Sequence, residues 1–136
     1  MTLQKARAYA YRLIAMRAYS SALLRQKLLR KGFDETLAEQ VIEELTRYGY
    51  LNDEEFGNRA IKRLAERGYG PRYIREKCRQ QGIEVQAAVS EAVQREQIQK
   101  LLGKKPFSRE QAIRRLERRG FSLSLIFEEV EKFSSK

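Results

Sequence analysis

The chain contains no histidine and no tryptophan, and its 136 residues include a single cysteine. Without histidine, the sequence cannot supply an imidazole general base, a serine–histidine or cysteine–histidine nucleophile pair, or most kinds of zinc site. One cysteine cannot form a disulfide within the chain. A P-loop and a glycine-rich phosphate-binding turn are also missing. The sequence therefore predicts a protein that is not an enzyme and that holds no cofactor and no metal.

Long apolar runs are absent as well. No stretch approaches the ~18 consecutive apolar residues of a membrane-spanning helix. The N-terminal segment MTLQKARAYAYRL lacks the apolar core and the small-residue cleavage site of a signal peptide. We therefore expect a cytoplasmic protein that does not associate with a membrane.

Helix breakers and strand signals are scarce, with only two prolines and no segment of alternating apolar and polar residues. What the chain does contain is one pattern repeated three times: SSALLRQKLLRKG at 20–32, GPRYIREKCRQQG at 70–82 and SREQAIRRLERRG at 108–120. Each block begins with a helix-capping residue, continues as a basic amphipathic helix and ends at a glycine. A motif that recurs after 50 and then 38 residues is an internal repeat and favours a helical array.

We predict an all-α protein of three tandem three-helix repeats, stacked into an elongated, curved array with nine helices. The repeats are expected at 1–50, 51–93 and 94–136, the last with a shorter first helix. The third helices of the repeats are expected within 33–45, 83–93 and 121–131.

The three block-closing glycines and the cysteine carry the structural predictions that are easiest to check. Gly32, Gly82 and Gly120 are predicted to adopt a positive φ at helix ends. Cys78 lies where leucine stands in the other two blocks, so we expect it to be a buried core residue rather than a reactive thiol.

Charge is sorted by position within the repeat, on top of a net charge of +10. The middle helices, at 20–31, 70–81 and 108–119, carry 13 basic and 3 acidic residues, whereas the third helices carry 10 acidic residues and no basic one. A basic surface of this kind favours an anionic partner. The candidate contact residues are cations of the middle helices: Arg25, Lys27, Arg30, Arg72, Arg75, Lys77, Arg79, Arg114, Arg115 and Arg118.

Two purely structural explanations compete with this interpretation. Helix dipoles favour cations at helix C-termini, which accounts for Arg30 and Arg118 but not for Glu43 and Glu128, which also lie late in their helices. Basic and acidic helices can instead pair within each repeat as exposed salt bridges, but that leaves the surplus of positive charge unexplained. A helix-turn-helix mode is disfavoured because the helix in the recognition position is the acidic one. If DNA is bound, we expect the middle helices to contact its backbone.

The sequence resembles the RecX family of RecA regulators over nearly the whole chain, with the matching residues in the same order as in that family. The resemblance is carried by the run YAYRL at 9–13, by LRKGF at 29–33, by GYLND at 49–53 and by RRGFS at 118–122. Single positions between these runs also match: Arg17, Ser20, Leu24, Leu28, Phe56, Gly70, Pro71, Ile74, Gly82 and Ile83.

The resemblance implies three tandem three-helix repeats and a small non-enzymatic protein. Such a protein binds the RecA–DNA filament, inhibits its ATPase, strand-exchange and co-protease activities, and acts in DNA repair, recombination and the SOS response. It is expected to be a monomer with weak, non-specific DNA binding of its own. The alternative is a general basic DNA-binding protein whose middle helices contact the phosphate backbone. The resemblance assigns no active-site residue, and the shared glycines are structural.

Overall fold

In a computed structural model of the chain, which describes residues 2–86, 89–104 and 106–134, the described residues form eight α-helices and no strand. The prediction of an all-α chain is confirmed. The helices are α1 Leu3–Met16, α2 Ser21–Lys31, α3 Glu35–Arg47, α4 Asp53–Glu66, α5 Pro71–Gln80, α6 Glu91–Leu102, α7 Arg109–Arg118 and α8 Leu123–Ser134.

Side-chain caps set where most of these helices begin. The side chains of Ser20, Asp34, Asn52 and Ser108 each accept a backbone N–H from three residues further on, at distances between 2.8 and 3.2 Å. Ser108 and Gln111 also form the predicted reciprocal capping box. These contacts satisfy N–H groups that have no partner inside the helix, and they fix the chain direction at each helix start.

The glycines at the ends of the repeated blocks have the predicted conformation. Gly32, Gly82 and Gly120 have φ values of 111°, 77° and 94°, and each follows the end of a helix. A left-handed conformation costs other residues about 1–2 kcal/mol, so glycine is the residue best suited to these ends. Cys78 is 1% exposed, as its place in the repeat predicts, and burial raises the pKa of its thiol.

The predicted helix over 83–93, and with it the count of nine, is wrong for the described residues. Residues 83–86 and 89–90 are not helical, Ala87 and Ala88 lie outside the described residues, and α6 begins at Glu91. Ser90 caps α6, because its Oγ accepts the N–H of Val93 at 3.2 Å. That helix, which contains Ile98 and Leu102, is the predicted first helix of the third repeat and does not replace the helix predicted over 83–93. The repeat boundaries remain a prediction, and the one at 93/94 falls inside α6.

The chain divides into two compact units, Met1–Asn58 with Gln80–Ile83 and Arg59–Arg79 with Glu84–Lys136. In the first unit, α1, α2 and α3 pack on one another. In the second unit, α8 packs against α6 and α7. The core of the first unit contains Ala6, Ala10, Tyr19, Leu24, Leu28, Phe33, Ala38, Val41, Leu45 and Leu51, and that of α6–α8 contains Ile98, Leu102, Ala112, Leu116, Phe121, Leu125, Ile126 and Val130.

Within the second unit, the start of α5 meets the end of α7 through two glycines. The Gly70 N–H donates to the Arg119 carbonyl at 2.7 Å, and the Arg72 N–H donates to the Gly120 carbonyl at 3.1 Å. A Cβ on Gly70 would lie 2.5 Å from the Gly120 carbonyl carbon, and a Cβ on Gly120 would lie 2.4 Å from the Tyr73 nitrogen. The unpaired carbonyls of one helix end therefore satisfy the unpaired N–H groups of the other.

A similar contact lies in the first unit. The Ser20 Oγ donates to the Gln81 carbonyl at 2.6 Å. A Cβ on Gly82 would lie 2.3 Å from the Cβ of Ala22. Gly82 and Gly120 thus do more than end helices, because they let the start of another helix approach closely.

We expect Gly120→Ala to lower the free energy of unfolding by about 3 kcal/mol, part from the left-handed φ and part from the contact with Tyr73. Gly49→Ala is the matched control, because Gly49 has a φ of 81° but nothing within 4 Å of an added Cβ. The control should therefore lose only the conformational part, about 1 kcal/mol. Urea unfolding measures both values, and equal losses would contradict the close-approach explanation.

A buried carboxylate links α6 and α8. Glu129 is 1% exposed, and its two oxygens accept from Arg95 Nη1 at 3.1 Å and Gln99 Nε2 at 3.0 Å. The Lys132 ammonium lies 3.6 Å away. Burial alone would raise the pKa of Glu129, but the hydrogen bonds from Gln99 and Arg95, together with the nearby charges, bring it below its ordinary value of 4.5.

Glu129→Gln is expected to lower the free energy of unfolding by about 2 kcal/mol at neutral pH, because the charge-assisted hydrogen bonds are lost. Since the folded-state pKa lies below 4.5, this stabilisation is fully present above that value and is lost as the pH falls through the folded pKa. Urea unfolding of the wild type and the variant over a pH series should show that the difference between their free energies of unfolding becomes smaller in acid. A difference that stays constant down to about pH 2 would contradict the assignment.

Candidate functional site

The head-to-tail contact in the second unit brings the basic residues of α5 beside those of α7. A depression of about 510 Å³ is lined by Arg72, Arg75 and Arg79 from α5 and by Arg118 from α7. Two adjoining depressions, of about 470 and 360 Å³, share Arg115 and Arg118 as lining residues. We call this region the arginine surface; it comprises Arg72, Arg75, Arg79, Arg114, Arg115 and Arg118.

Most of the arginine surface is not neutralised from within the molecule. Arg75, Arg114, Arg115 and Arg118 are exposed and make no ion pair with any described residue. Arg79 pairs with Glu76 of its own helix at 2.6 Å. Four guanidinium groups therefore remain available to an anion. A guanidinium binds the oxygens of phosphate or carboxylate in pairs and keeps its proton, so the surface is suited to binding and not to proton transfer.

Arg72 has a second role. Its Nη2 donates to the carbonyl of Glu117 in the last turn of α7. The guanidinium therefore adds a second donor to a carbonyl that already accepts the Gly120 N–H at 2.9 Å. Arg72 joins α5 to α7 as well as lining the depression.

Two stacked tyrosines lie beside the arginine surface. The rings of Tyr69 and Tyr73 are 4.0 Å apart and nearly parallel, at 9°. The Arg119 guanidinium lies 4.9 Å from the Tyr69 ring, and the Lys77 ammonium lies 5.5 Å from the Tyr73 ring. Cation–π attraction therefore holds a cation at each end of the tyrosine pair.

Arg119 is a structural member of this stack. Its Nη1 donates to the carbonyls of Arg67 and Gly68, both at 3.2 Å, at the end of α4. The sequence did not mark Arg119 or the two tyrosines as candidate site residues. The signal available was the spacing of two tyrosines four residues apart across a helix start, but nothing local indicates that their rings stack.

The candidates from α2 lie in the first unit, in a different electrostatic setting. Arg25 pairs with Glu39 at 2.6 Å and with Glu35 at 3.5 Å, both on α3. Lys27 is half-buried, and Arg30 is exposed without an ion pair to a described residue. Pairing between basic and acidic helices thus accounts for Arg25, whereas it does not account for Arg114, Arg115 and Arg118 of α7.

Among the described residues, no three acidic, cysteine or histidine side chains lie close enough together to hold a metal ion. In the same residues, no helix combines the length and the apolarity that a membrane span requires.

Comparison with known proteins agrees with the repeat architecture. The family profile described as "RecX, first three-helix domain" matches residues 6–45. A protein of Thermus thermophilus named Regulatory protein RecX is 33% identical over 129 residues, which cover 91% of this chain and 89% of that protein. The chain belongs to the RecX family.

Other RecX proteins match over different lengths. The Regulatory protein RecX of Deinococcus radiodurans is 33% identical over 138 residues, 92% of this chain and 66% of that protein. The one from Syntrophotalea carbinolica is 47% identical over 64 residues, but this match spans only 42% of its length. The crystal structure of RecX from Lactobacillus salivarius superposes with a TM-score of 0.88 over 98% of this chain and 97% of that one, at 16% identity, which is evidence for a common fold.

In this RecX chain, Arg119→Lys is expected to lower the free energy of unfolding by about 1–2 kcal/mol. Lysine keeps the charge but loses the planar stack on Tyr69 and the two hydrogen bonds to carbonyls. Arg118→Lys, at the adjacent exposed position, is the matched control and should change stability by less than about 0.5 kcal/mol. Thermal or urea unfolding measures the stability of both variants. If Arg119→Lys leaves the free energy of unfolding unchanged, Arg119 does not have this structural role.

Proposed function

We propose that this chain is a non-enzymatic regulator of the RecA recombinase that binds along the RecA–DNA filament. The main support is its alignment with the Thermus thermophilus protein named Regulatory protein RecX, which covers 91% of this chain. As a member of that family, the chain is proposed to inhibit RecA, and therefore to slow ATP hydrolysis, strand exchange and co-protease activity. We propose that it acts in the cytoplasm as a monomer. The processes that it would regulate are DNA repair and the SOS response.

The arginine surface supports this proposal in physical terms. A RecA–DNA filament carries the phosphates of its bound DNA and the mixed charges of its protein. Exposed, unpaired guanidinium groups speed and strengthen association with such a polyanionic assembly. We propose that the candidate residues of the middle helices, from Arg25 to Arg118, include the filament contacts.

The alternative function is general DNA binding through the middle helices. The observation that favours it is the same set of exposed arginines, since a basic surface alone supplies sequence-independent affinity for phosphates. Against it stands the family membership, since the Thermus thermophilus relative is named a regulatory protein.

Adding this chain to RecA on single-stranded DNA is expected to slow ATP hydrolysis at less than one copy per RecA. The reason is that a protein bound along the filament acts on several RecA subunits at once. The control is excess free single-stranded DNA added after the filament has formed. A filament regulator should still inhibit ATP hydrolysis by RecA, whereas a general DNA binder should dissociate from the filament and bind the free DNA. Full recovery of RecA activity with free DNA would favour the alternative, and no inhibition at any ratio would refute the proposal.

A further inference from the structure

Three tyrosines lie together in the first unit, one on α1 and two in the turn that follows α3. The rings of Tyr11 and Tyr50 meet edge to face, with 5.5 Å between their centroids. Tyr48 and Tyr50 are 61% and 60% exposed. Ala8 and Ala15 are exposed on the face of α1 that carries Tyr11. We call this region the tyrosine surface; it comprises Ala8, Tyr11, Ala15, Tyr48 and Tyr50.

The backbone of the turn holds the two exposed rings in place. The Tyr48 N–H donates to the Glu44 carbonyl at 3.0 Å, and the Tyr50 N–H donates to the Leu45 carbonyl at 2.8 Å. Leu51, the next residue, is buried in the core of this unit. Because the turn is already anchored on both sides of Tyr50, little order has to be gained when a partner binds.

The charged side chains that adjoin the rings are paired with each other. Arg7 Nε lies 2.7 Å from Glu44 Oε2, and Arg47 lies 3.8 Å from Glu43. Burial, followed by the nearby Glu44, raises the pKa of the Tyr11 phenol, so this ring is uncharged at neutral pH. The centre of the tyrosine surface therefore consists of rings and methyl groups, in a chain of which 34% of the residues are charged.

Charge remains at the edge of the tyrosine surface, where Lys5 and Arg12 are exposed on the adjoining face of α1. A centre depleted of charge inside a polar rim is the composition of a protein interface, and tyrosine is among the residues that contribute most to such interfaces. Single-stranded nucleic acid would need free cations beside the rings for its phosphates, but Arg7 and Arg47 are already paired. The composition thus favours a protein partner over a nucleic acid.

The hydroxyl groups of the exposed tyrosines are available to such a partner. Those of Tyr48 and Tyr50 make no hydrogen bond with a described residue. A tyrosine at an interface buries its ring against apolar groups and donates its O–H to an acceptor of the partner. The matching protein surface therefore offers apolar side chains with carbonyl or carboxylate oxygens beside them.

We propose that the tyrosine surface is a protein-contact site and that its occupant is a RecA subunit of the filament, not the DNA of the filament. Tyr48 and Tyr50 pack against apolar side chains of that subunit, and their hydroxyl groups donate hydrogen bonds to it. The choice of RecA as the occupant rests on the proposed function, whereas the choice of a protein rests on the composition of the surface.

The experiment measures the binding of four proteins to an immobilised single-stranded oligonucleotide, either bare or coated with RecA, over a salt series. Besides the wild type, the tyrosine variant carries Tyr48→Ala and Tyr50→Ala. The control variant carries Leu123→Ala and Phe127→Ala, which remove apolar side chains that are 43% and 42% exposed on α8. The fourth protein carries Tyr48→Ala alone and keeps the contact between Tyr11 and Tyr50. Circular dichroism checks that each variant is folded.

The tyrosine variant is expected to bind the RecA-coated oligonucleotide roughly tenfold or more weakly than the wild type, and Tyr48→Ala alone roughly threefold or more weakly, because truncated tyrosines leave the centre of an interface unfilled. The control should stay within about twofold of the wild type. Since no charge is removed, the slope of log K against log salt should equal that of the wild type. Binding to the bare oligonucleotide should not change.

Four results would overturn the proposal. An equal loss on the bare oligonucleotide would mean that the tyrosines stack on bases. Equal losses in the tyrosine and control variants would mean that any exposed apolar side chain matters. Unchanged affinity for the coated oligonucleotide would mean that the tyrosines make no contact. A wild type that sediments as a dimer, with a tyrosine variant that sediments as a monomer, would mean that the occupant is a second copy of this chain.

Tyr48→Ala alone decides the question if the double variant does not fold. Because the ring of Tyr48 is mostly exposed, its removal should leave the fold intact. A loss of affinity for the coated oligonucleotide only, in this single variant, supports the proposal, and an unchanged affinity overturns it.

The ATPase of RecA separates this inference from the proposed function. If the wild type inhibits RecA and the tyrosine variant binds the filament equally well, only the assignment of the tyrosine surface fails. If the tyrosine variant loses filament binding as expected but the wild type leaves ATP hydrolysis unaffected, the assignment holds and the proposed regulation of RecA fails. If the wild type binds the coated oligonucleotide no better than the bare one, both fail.

Discussion

The close approach of two backbones at Gly70 and Gly120 is the constraint on which the candidate site depends. It allows N–H groups at the start of α5 to meet carbonyls at the end of α7, with 2.7 Å between the Gly70 nitrogen and the Arg119 oxygen. Any side chain at either glycine would push these helix ends apart. Because the two helix ends meet, the arginines of α5 and α7 line one continuous region instead of two separate patches. Packing between helices, and not a binding motif, therefore creates the charged surface.

The distribution of ion pairs decides where charge remains available. Some carboxylates of the third helices, α3 and α8, are taken up by the first helices, α1 and α6, as Arg7 pairs with Glu44 at 2.7 Å and Arg95 pairs with Glu128 at 2.7 Å. In the first unit a middle-helix arginine joins this pairing, since Arg25 contacts α3. On α7 only Arg109, at the start of the helix, pairs with α8, at 3.0 Å from Glu131. The later arginines of α7 are left without partners among the described residues. The net charge of +10 is thus not spread evenly, because local pairing removes it from some helices and leaves it on others.

Local signals in the sequence predicted the features that depend on a few neighbouring residues. Caps such as Ser20 and Ser108, the glycine at position 32 and the buried Cys78 all follow from spacing within one block. The helix predicted over 83–93 is absent from the described residues of that segment, because apolar spacing alone does not decide whether a short segment is helical, and Ser90 begins the next helix, α6. For the site, the sequence named cations of the middle helices as candidates, but it did not indicate which helices meet. The hydrogen bonds of Arg119 to Gly68 and Arg67 join residues 51 and 52 positions apart along the chain, which no local signal predicts.

Arginines of the second unit thus fall into two groups that composition cannot separate. Some guanidinium groups donate to carbonyls at helix ends, as Arg72 does to Glu117 and Arg119 does to Arg67 and Gly68. Others, such as Arg75 and Arg115, make no hydrogen bond or ion pair with a described residue, so their guanidinium groups stay free for a ligand. Reversing the charge of Arg72 would place a carboxylate against a carbonyl oxygen and weaken the α5–α7 contact as well as any binding. A loss of binding in such a variant cannot be assigned to a ligand contact, whereas a loss at Arg75, Arg115 or Arg118 can.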